Sequence, residues 1–221
     1  MKTAKVSSLV LDFEIYPRTD VNSTNVSQII EATVSGVEMP PVLIDRKSRR
    51  VIDGFHRCKA ATRINGDDAE VGIIERSFKN DSEMLLEAIR LNSSHGYKLD
   101  SCDRTRCVIL AAKLQITDSA LGQALNVTTD RLAKLRNTRI CPNGKLSIPI
   151  KTTIKHMAGE TLTARQKQAN DRLSGMGQTF YVNQLIELFE ADLIDWTNEL
   201  FTEQIIKLHA LIEASRALAT A

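Results

Sequence analysis

The chain has 221 residues, of which 43% are apolar, 25% charged and 5% aromatic, and its formal net charge is +2. That length buries a core without disulfide staples, and the balance excludes a uniformly basic nucleic-acid binder and an aromatic base-stacking platform. No run approaches the roughly 18 apolar residues of a membrane helix, Met1 to Glu14 does not read as a signal peptide, and Cys58, Cys102, Cys107 and Cys141 have neither C-x-x-C nor zinc-finger spacing, so reduced thiols and a cytoplasmic location are expected.

In chain order, Leu9 to Ile15 alternates apolar and polar before Pro17 and predicts a strand. Thr24 to Val34 has helical spacing and ends before Gly36. Val42 to Ile44 follows Pro40-Pro41 as a buried-type strand, Asp45 to Ser48 turns the chain, and Arg50 to Ile52 returns as its partner. Arg57 to Ile64 reads as a helix closed by Asn65-Gly66, Val71 to Ile74 as a strand and Asp81 to Leu91 as a helix. Beyond His95-Gly96 the pattern is all-helical: Asp100 to Leu114, Thr117 to Leu125 and Thr129 to Thr138. Pro142-Asn143-Gly144 breaks the chain, and Thr163 to Leu173 forms a further helix. Two amphipathic helices follow, carrying Val182, Leu185, Ile186, Phe189 and Leu193, then Phe201, Ile205, Leu208 and Ile212.

The small net charge hides a pattern. Residues 1–128 are neutral, residues 129–172 hold ten basic groups against three acids, and residues 173–221 hold two against seven. A basic middle suits phosphate neutralisation. It begins where Asp118 to Arg139 matches a helix-turn-helix: Gly122 is the small residue of the first helix, Leu121 and Leu125 face inward, and Asn126 takes the left-handed turn position. Val127 is expected to be buried, Thr128 or Thr129 caps the second helix, and Leu132 and Leu135 pack back. Thr129 to Arg139 is then the recognition helix. Thr128, Thr129, Asp130, Arg131 and Lys134 are placed for base edges, and Arg136 and Arg139 for phosphates of double-stranded DNA.

Gly54-Phe55-His56-Arg57, between a strand and a helix N-terminus, is a generic phosphate cradle. With its surroundings it resembles the ParB/sulfiredoxin superfamily over about residues 6 to 140. Tyr16-Pro17-Arg18 is similar to that family's "x-P-R", and Met39 to Ile44 to its "x-P-I-x-V" strand. Val51 to Ala61 is similar to its "G-E-R-R-x-x-A" box in a "D-G-x-H-R" form, and Ile89 to Gly96 to its "E-N-x-x-R" box; the helix-turn-helix follows in place. The resemblance implies an α+β N-terminal domain with a small mixed sheet, then an all-α helix-turn-helix region and a helical tail. It implies a nucleotide such as CTP (or ATP) with Mg2+ as a switch, bound through Arg18, Pro41, Gly54, Phe55, His56, Arg57, Asn92 and His95, with the nucleotide-bound Mg2+ near Asn92. Three departures stand out: His56 for the box's first Arg, Leu91 for the acid before Asn92, and His95 for the Arg after it. Asn92, His95, Gly96, Leu99, Asp103 and Arg104 together look closer to ParB-like transcriptional regulators of antibiotic-cluster type.

A sulfiredoxin cysteine is absent, since Phe55 stands at its position. A kinase or nuclease of the same fold is the alternative, with Glu14, Asp20 and Asp53 as its candidate acids; a pure interaction module is a third reading. The expected organisation is a ligand domain over 1–97, the DNA-binding region over 98–140, a basic connection over 141–178 whose cations are available to the DNA backbone, and a tail over 179–221. That tail is expected to form a homodimer with Phe189, Trp196 and Phe201 as anchors, because paired half-sites need a dimer. A catalytic residue is not assigned.

Overall fold

The computed structural model describes residues 2–94, 98–143 and 146–219. The chain divides into two compact units, residues 1–175 and 176–221.

The first unit is mixed α+β. Its sheet runs in the order β1 (Lys2–Lys5), β4 (Glu70–Arg76), β2 (Val42–Asp45), β3 (Val51–Asp53). β2 pairs parallel with β4 and antiparallel with β3, while β1 closes the edge antiparallel to β4. All four residues of β2 are buried, because it has a strand on each side and packed layers on both faces. The period of two splits those layers. Val42, Ile44 and Val51 pack with Val6, Tyr16, Phe55 and Cys58. Leu43 and Ile52 pack with Ile15, Met84 and Ala88. Helix α1 (Ser23–Val34), capped by Asn22, lies against α2 (Phe55–Asn65), and α3 (Asp81–Ser94) lies against β3.

Leu85 and Ile89 of α3 lead into a helical core shared by α4 (Ser101–Lys113), α5 (Asp118–Leu125) and α6 (Thr129–Arg139). Cys107, Leu110, Leu121, Leu125, Leu132 and Leu135 fill it. A two-stranded hairpin, β5 (Ile140–Asn143) with β6 (Leu146–Pro149), follows α6, and α7 (Ala164–Arg172) ends this unit. The second unit holds α8 (Gln178–Glu190) and α9 (Glu199–Ala219). No described residue of it is buried, and Phe189 meets Trp196 edge-on at 5.9 Å.

Two expectations are corrected. Leu9 to Ile15 is not a strand. Asp12 Oδ1 accepts from the Glu14 backbone in a local turn, and only Val10 bridges to the sheet, at Arg50. The apolar alternation there reflects residues reaching different core layers, Leu9 one and Ile15 the other. The true edge strand, Lys2–Lys5, lacks an apolar signal because a lysine-bearing edge needs none. Pro142-Asn143-Gly144 reads as a break, yet Pro142 sits in the hairpin, where a two-stranded ribbon leaves each strand an unpaired side to accommodate proline.

Candidate functional site

A cavity of about 570 Å³ opens between α1, the β2 approach, β3, α2 and the end of α3. Seven of the eight residues expected to hold a ligand line it: Arg18, Pro41, Gly54, Phe55, His56, Arg57 and Asn92. The eighth, His95, lies outside the described residues. Apolar side chains, including Ile29, Met39 and Ile74, form most of the rest of the wall, with Asn25 and Asp53, and the size falls in the range of small-molecule sites, about 300–1,000 Å³.

Gly54 caps α2 with φ +115°, and a Cβ there would come within 2.9 Å of Val42 Cγ2. Only glycine fits. No side chain caps α2, so the N–H groups of its first turn stand at the cavity with the positive end of the helix dipole. Arg57 does not point a bare fork at that space. Its guanidinium donates to the carbonyls of Pro40 (2.6 Å) and Pro41 (2.8 Å) and pairs with Asp53, which locks the loop before β2 to the start of α2. His56 Nε2 accepts from the Asn22 backbone at 3.2 Å. Burial, aided by the charge of Arg18, pulls its pKa down to about 4, so at neutral pH it offers an Nδ1–H and no charge.

Arg18 is 4% exposed and pairs with Asp103 at 3.3 Å, while its Nε donates to Asn92 Oδ1 at 3.2 Å. Asp103 also accepts from the Thr19 backbone and hydroxyl and from the Asp100 N–H of the α4 capping box. One buried pair therefore ties the cavity wall to α4, the helix that leads into α5 and α6. Sequence reasoning missed Tyr16. It is 3% exposed, stacks on Phe55 at 4.0 Å, lines the cavity, and its hydroxyl has no partner among the described residues. Burial pushes that phenol above its ordinary range, so it is a donor that stays protonated.

These features fit a nucleotide-sized ligand: a buried donor without a partner among the described residues, an uncapped helix N-terminus, and a largely apolar wall. Mg2+ on Asn92 does not fit as well. The single carboxamide oxygen already accepts from a guanidinium, and the amide nitrogen donates to the Ala88 carbonyl at 2.8 Å. Among the described residues no cluster of three or more His, Cys, Asp or Glu is arranged to hold a metal. Of the candidate acids, Glu14 pairs with Lys113, Asp53 pairs with Arg57, and Asp20 lines a separate polar cleft beside Thr19 and Asn22.

The second candidate surface is α5–turn–α6. Asn126 sits at φ +55°, ψ +49°, and the Val127 N–H donates to the Gly122 carbonyl at 2.9 Å. A Cβ on Gly122 would stand 2.9 Å from the Val127 carbonyl oxygen, which is why that position must be small. Thr128 caps α6 by accepting from the Arg131 N–H. Val127 is half-buried rather than buried. Thr128, Thr129, Arg131 and Lys134 are exposed, and the side chains of Arg131 and Lys134 have no ion pair among the described residues. Arg136 and Arg139 are engaged within the chain: Arg136 makes a two-pronged bond to Asp118 (2.8 and 2.6 Å), and Arg139 donates to Thr152 Oγ1 at 2.8 Å.

No family model matches the chain. The transcriptional regulator NovG of Streptomyces niveus is 29% identical over 104 residues, covering 46% of this chain and 31% of that protein. A possible regulatory protein of the streptomycin biosynthesis operon of Streptomyces griseus is 29% identical over 116 residues, covering 51% and 32%. The chain spans about a third of the length of the curated relatives it matches. Solved neighbours include the truncated chromosome-partitioning protein ParB of Caulobacter crescentus in complex with the centromeric parS site (TM-score 0.43, 17% identity, 61% of this chain and 70% of that one). The same ParB complexed with CTP-gamma-S has a TM-score of 0.37 at 17% identity, covering 61% of this chain and 75% of that one. Among the described residues no helix is long and apolar enough to cross a membrane.

Proposed function

We propose that the chain is a ParB-like DNA-binding regulator, of the transcriptional or partition type, whose N-terminal cavity holds a small ligand that sets its DNA-binding state. The observation that carries the reading is the α5–turn–α6 geometry: a left-handed Asn126, a close-approach glycine and an exposed α6 face bearing Arg131 and Lys134. A helix presented this way enters the major groove, with its N-terminal half at the base edges. Thr128, Thr129, Arg131 and Lys134 are the contacts we assign.

The ligand that the resemblance suggests is a nucleotide such as CTP. Its phosphates would lie at the first turn of α2, over Gly54, Phe55 and His56, with the base against the apolar wall. What the nucleotide supplies when bound is negative charge and hydrogen-bond acceptors at that turn. Arg57 positions the loop, His56 donates one N–H, and Arg18 carries any displacement to Asp103 and α4. The exposed apolar residues of α8, of α9 and of the connection between them, Phe180, Ile186, Phe189 and Trp196 among them, suit a homodimer, which paired half-sites require. The enzyme alternative gains no support, because the one candidate acid that lines the cavity, Asp53, is committed to Arg57.

Selection from a random duplex library tests the reading. Enrichment of two half-sites spaced by about one helical turn, roughly 10 base pairs, is expected. It should be lost when Arg131 and Lys134 are both changed to Ala. An unenriched library contradicts it.

A further inference from the structure

Residues 140–175 belong neither to the cavity nor to the helix-turn-helix, yet they are fixed to the recognition helix at the level of backbone. Ile140 is at once the C-cap of α6 and the first residue of β5, so no loop intervenes. The Ile150 N–H donates to the Arg139 carbonyl at 2.8 Å, and the Gly159 N–H to the Ile140 carbonyl at 3.0 Å. Arg139 reaches Thr152 in the 3₁₀ turn after the hairpin. Asn170, 5% exposed, joins α7 to the hairpin by accepting from the Lys151 N–H (2.9 Å) and donating to the Pro149 carbonyl (3.2 Å). A small core of Cys141, Ile150 and Leu162 fills the space between, flanked by Ile148, Ile154 and Met157. The piece therefore moves with α6.

Its surface is basic. The segment carries six Lys and Arg residues against Glu160 and Asp171. Lys155, Arg165 and Arg172 are exposed, and none of their side chains has a hydrogen bond or ion pair among the described residues. This contrasts with Arg136 and Arg139, the α6 residues expected to meet phosphates, which are spent inside the chain. Helix α6 has 11 residues, about 16 Å of length. Duplex DNA carries one charge per roughly 1.7 Å of axis. A groove occupied by the N-terminal half of α6 thus brings phosphates within reach of whatever is anchored at its C-terminus.

We propose that the hairpin and α7, residues 140–175, form a second duplex-binding surface in which Lys155, Arg165 and Arg172 contact the phosphates flanking the groove that α6 occupies. The proposal rests on the DNA-binding reading and adds to it a surface that no helix-turn-helix pattern contains. It divides the work: α6 reads bases, and the anchored extension supplies the non-specific grip that α6 lacks once its two C-terminal arginines are tied up.

The test is the salt dependence of binding of the full chain to a labelled mixed-sequence duplex, measured by fluorescence anisotropy. The triple variant Lys155→Ala, Arg165→Ala, Arg172→Ala is compared with an equal-charge control, Lys47→Ala, Lys59→Ala, Arg63→Ala, whose residues are exposed elsewhere on the unit. Each lost phosphate contact flattens the slope of log K against log salt by about 0.9. The first triple should therefore flatten it by about 2.7 and the control by far less, with the melting temperatures of both near that of the unmodified chain. An unchanged slope in the first triple, or equal flattening by both, overturns this surface while leaving the DNA-binding reading intact. Failure of the unmodified chain to bind any duplex overturns both.

Discussion

Replacing Asp103 by Ala strikes a buried group with four hydrogen-bond donors around it. Its carboxylate is 7% exposed and accepts from Arg18 (3.3 Å), the Thr19 N–H (2.9 Å), the Thr19 hydroxyl (3.1 Å) and the Asp100 N–H (3.3 Å). Removing it takes the Asp103 carboxylate away from a guanidinium that is only 4% exposed. Breaking one side of a buried pair costs about 3–5 kcal/mol, and the lost capping box at α4 is within that figure. With a urea m-value of about 2 kcal/mol/M, the unfolding midpoint followed by circular dichroism should fall by about 2 M. Replacing both partners with apolar residues, Arg18→Met with Asp103→Leu, should recover most of the loss, because no charge is then stranded. A loss below about 1 kcal/mol for Asp103→Ala would show instead that Arg18 turns to solvent at little cost and that the pair couples nothing to α4.

The remaining predictions concern the two candidate surfaces. Gly54→Ala should destabilise by about 1–3 kcal/mol in thermal melts, because φ is +115° and the new Cβ meets Val42. Gly122→Val should abolish duplex binding in gel-shift assays, because the side chain would displace the Val127 carbonyl and with it α6. Tyr16→Phe keeps the stacked ring but removes the orphan hydroxyl; calorimetry with CTP should show weaker binding at unchanged protein stability. For pH, the unfolded chain takes up a proton on His56 between about pH 6.5 and about 4 that the folded chain refuses. Stability should therefore fall as the pH drops through that window, and His56→Gln should flatten that part of the profile.

The parts of this architecture that lie close together in sequence were readable from it. The turn at Asn126, the small Gly122, the Thr128 cap and the inward leucines lie within about four helical turns of one another, and each obeys a local rule. The cavity was readable as a set of residues, since seven of those expected to hold a ligand line it. It was not readable as chemistry. Nothing near Arg18 predicts that its partner is Asp103, 85 residues away, or that Arg57 would bond the Pro40 and Pro41 carbonyls rather than face the cavity. Tyr16 escaped because an orphan hydroxyl is a property of its surroundings. Residues 140–175 were opaque for a related reason: their two prolines imitate a linker, while the contacts that hold them run back to Arg139 and Ile140 through backbone groups that carry no sequence signal.

Binding of duplex DNA through α6 and its basic neighbourhood, as proposed, is checked by duplex affinity measured across about 50 to 200 mM salt. Log K should fall linearly with log salt, with weaker binding when Lys134 is changed to Ala. No binding to any duplex at the low-salt end would contradict it.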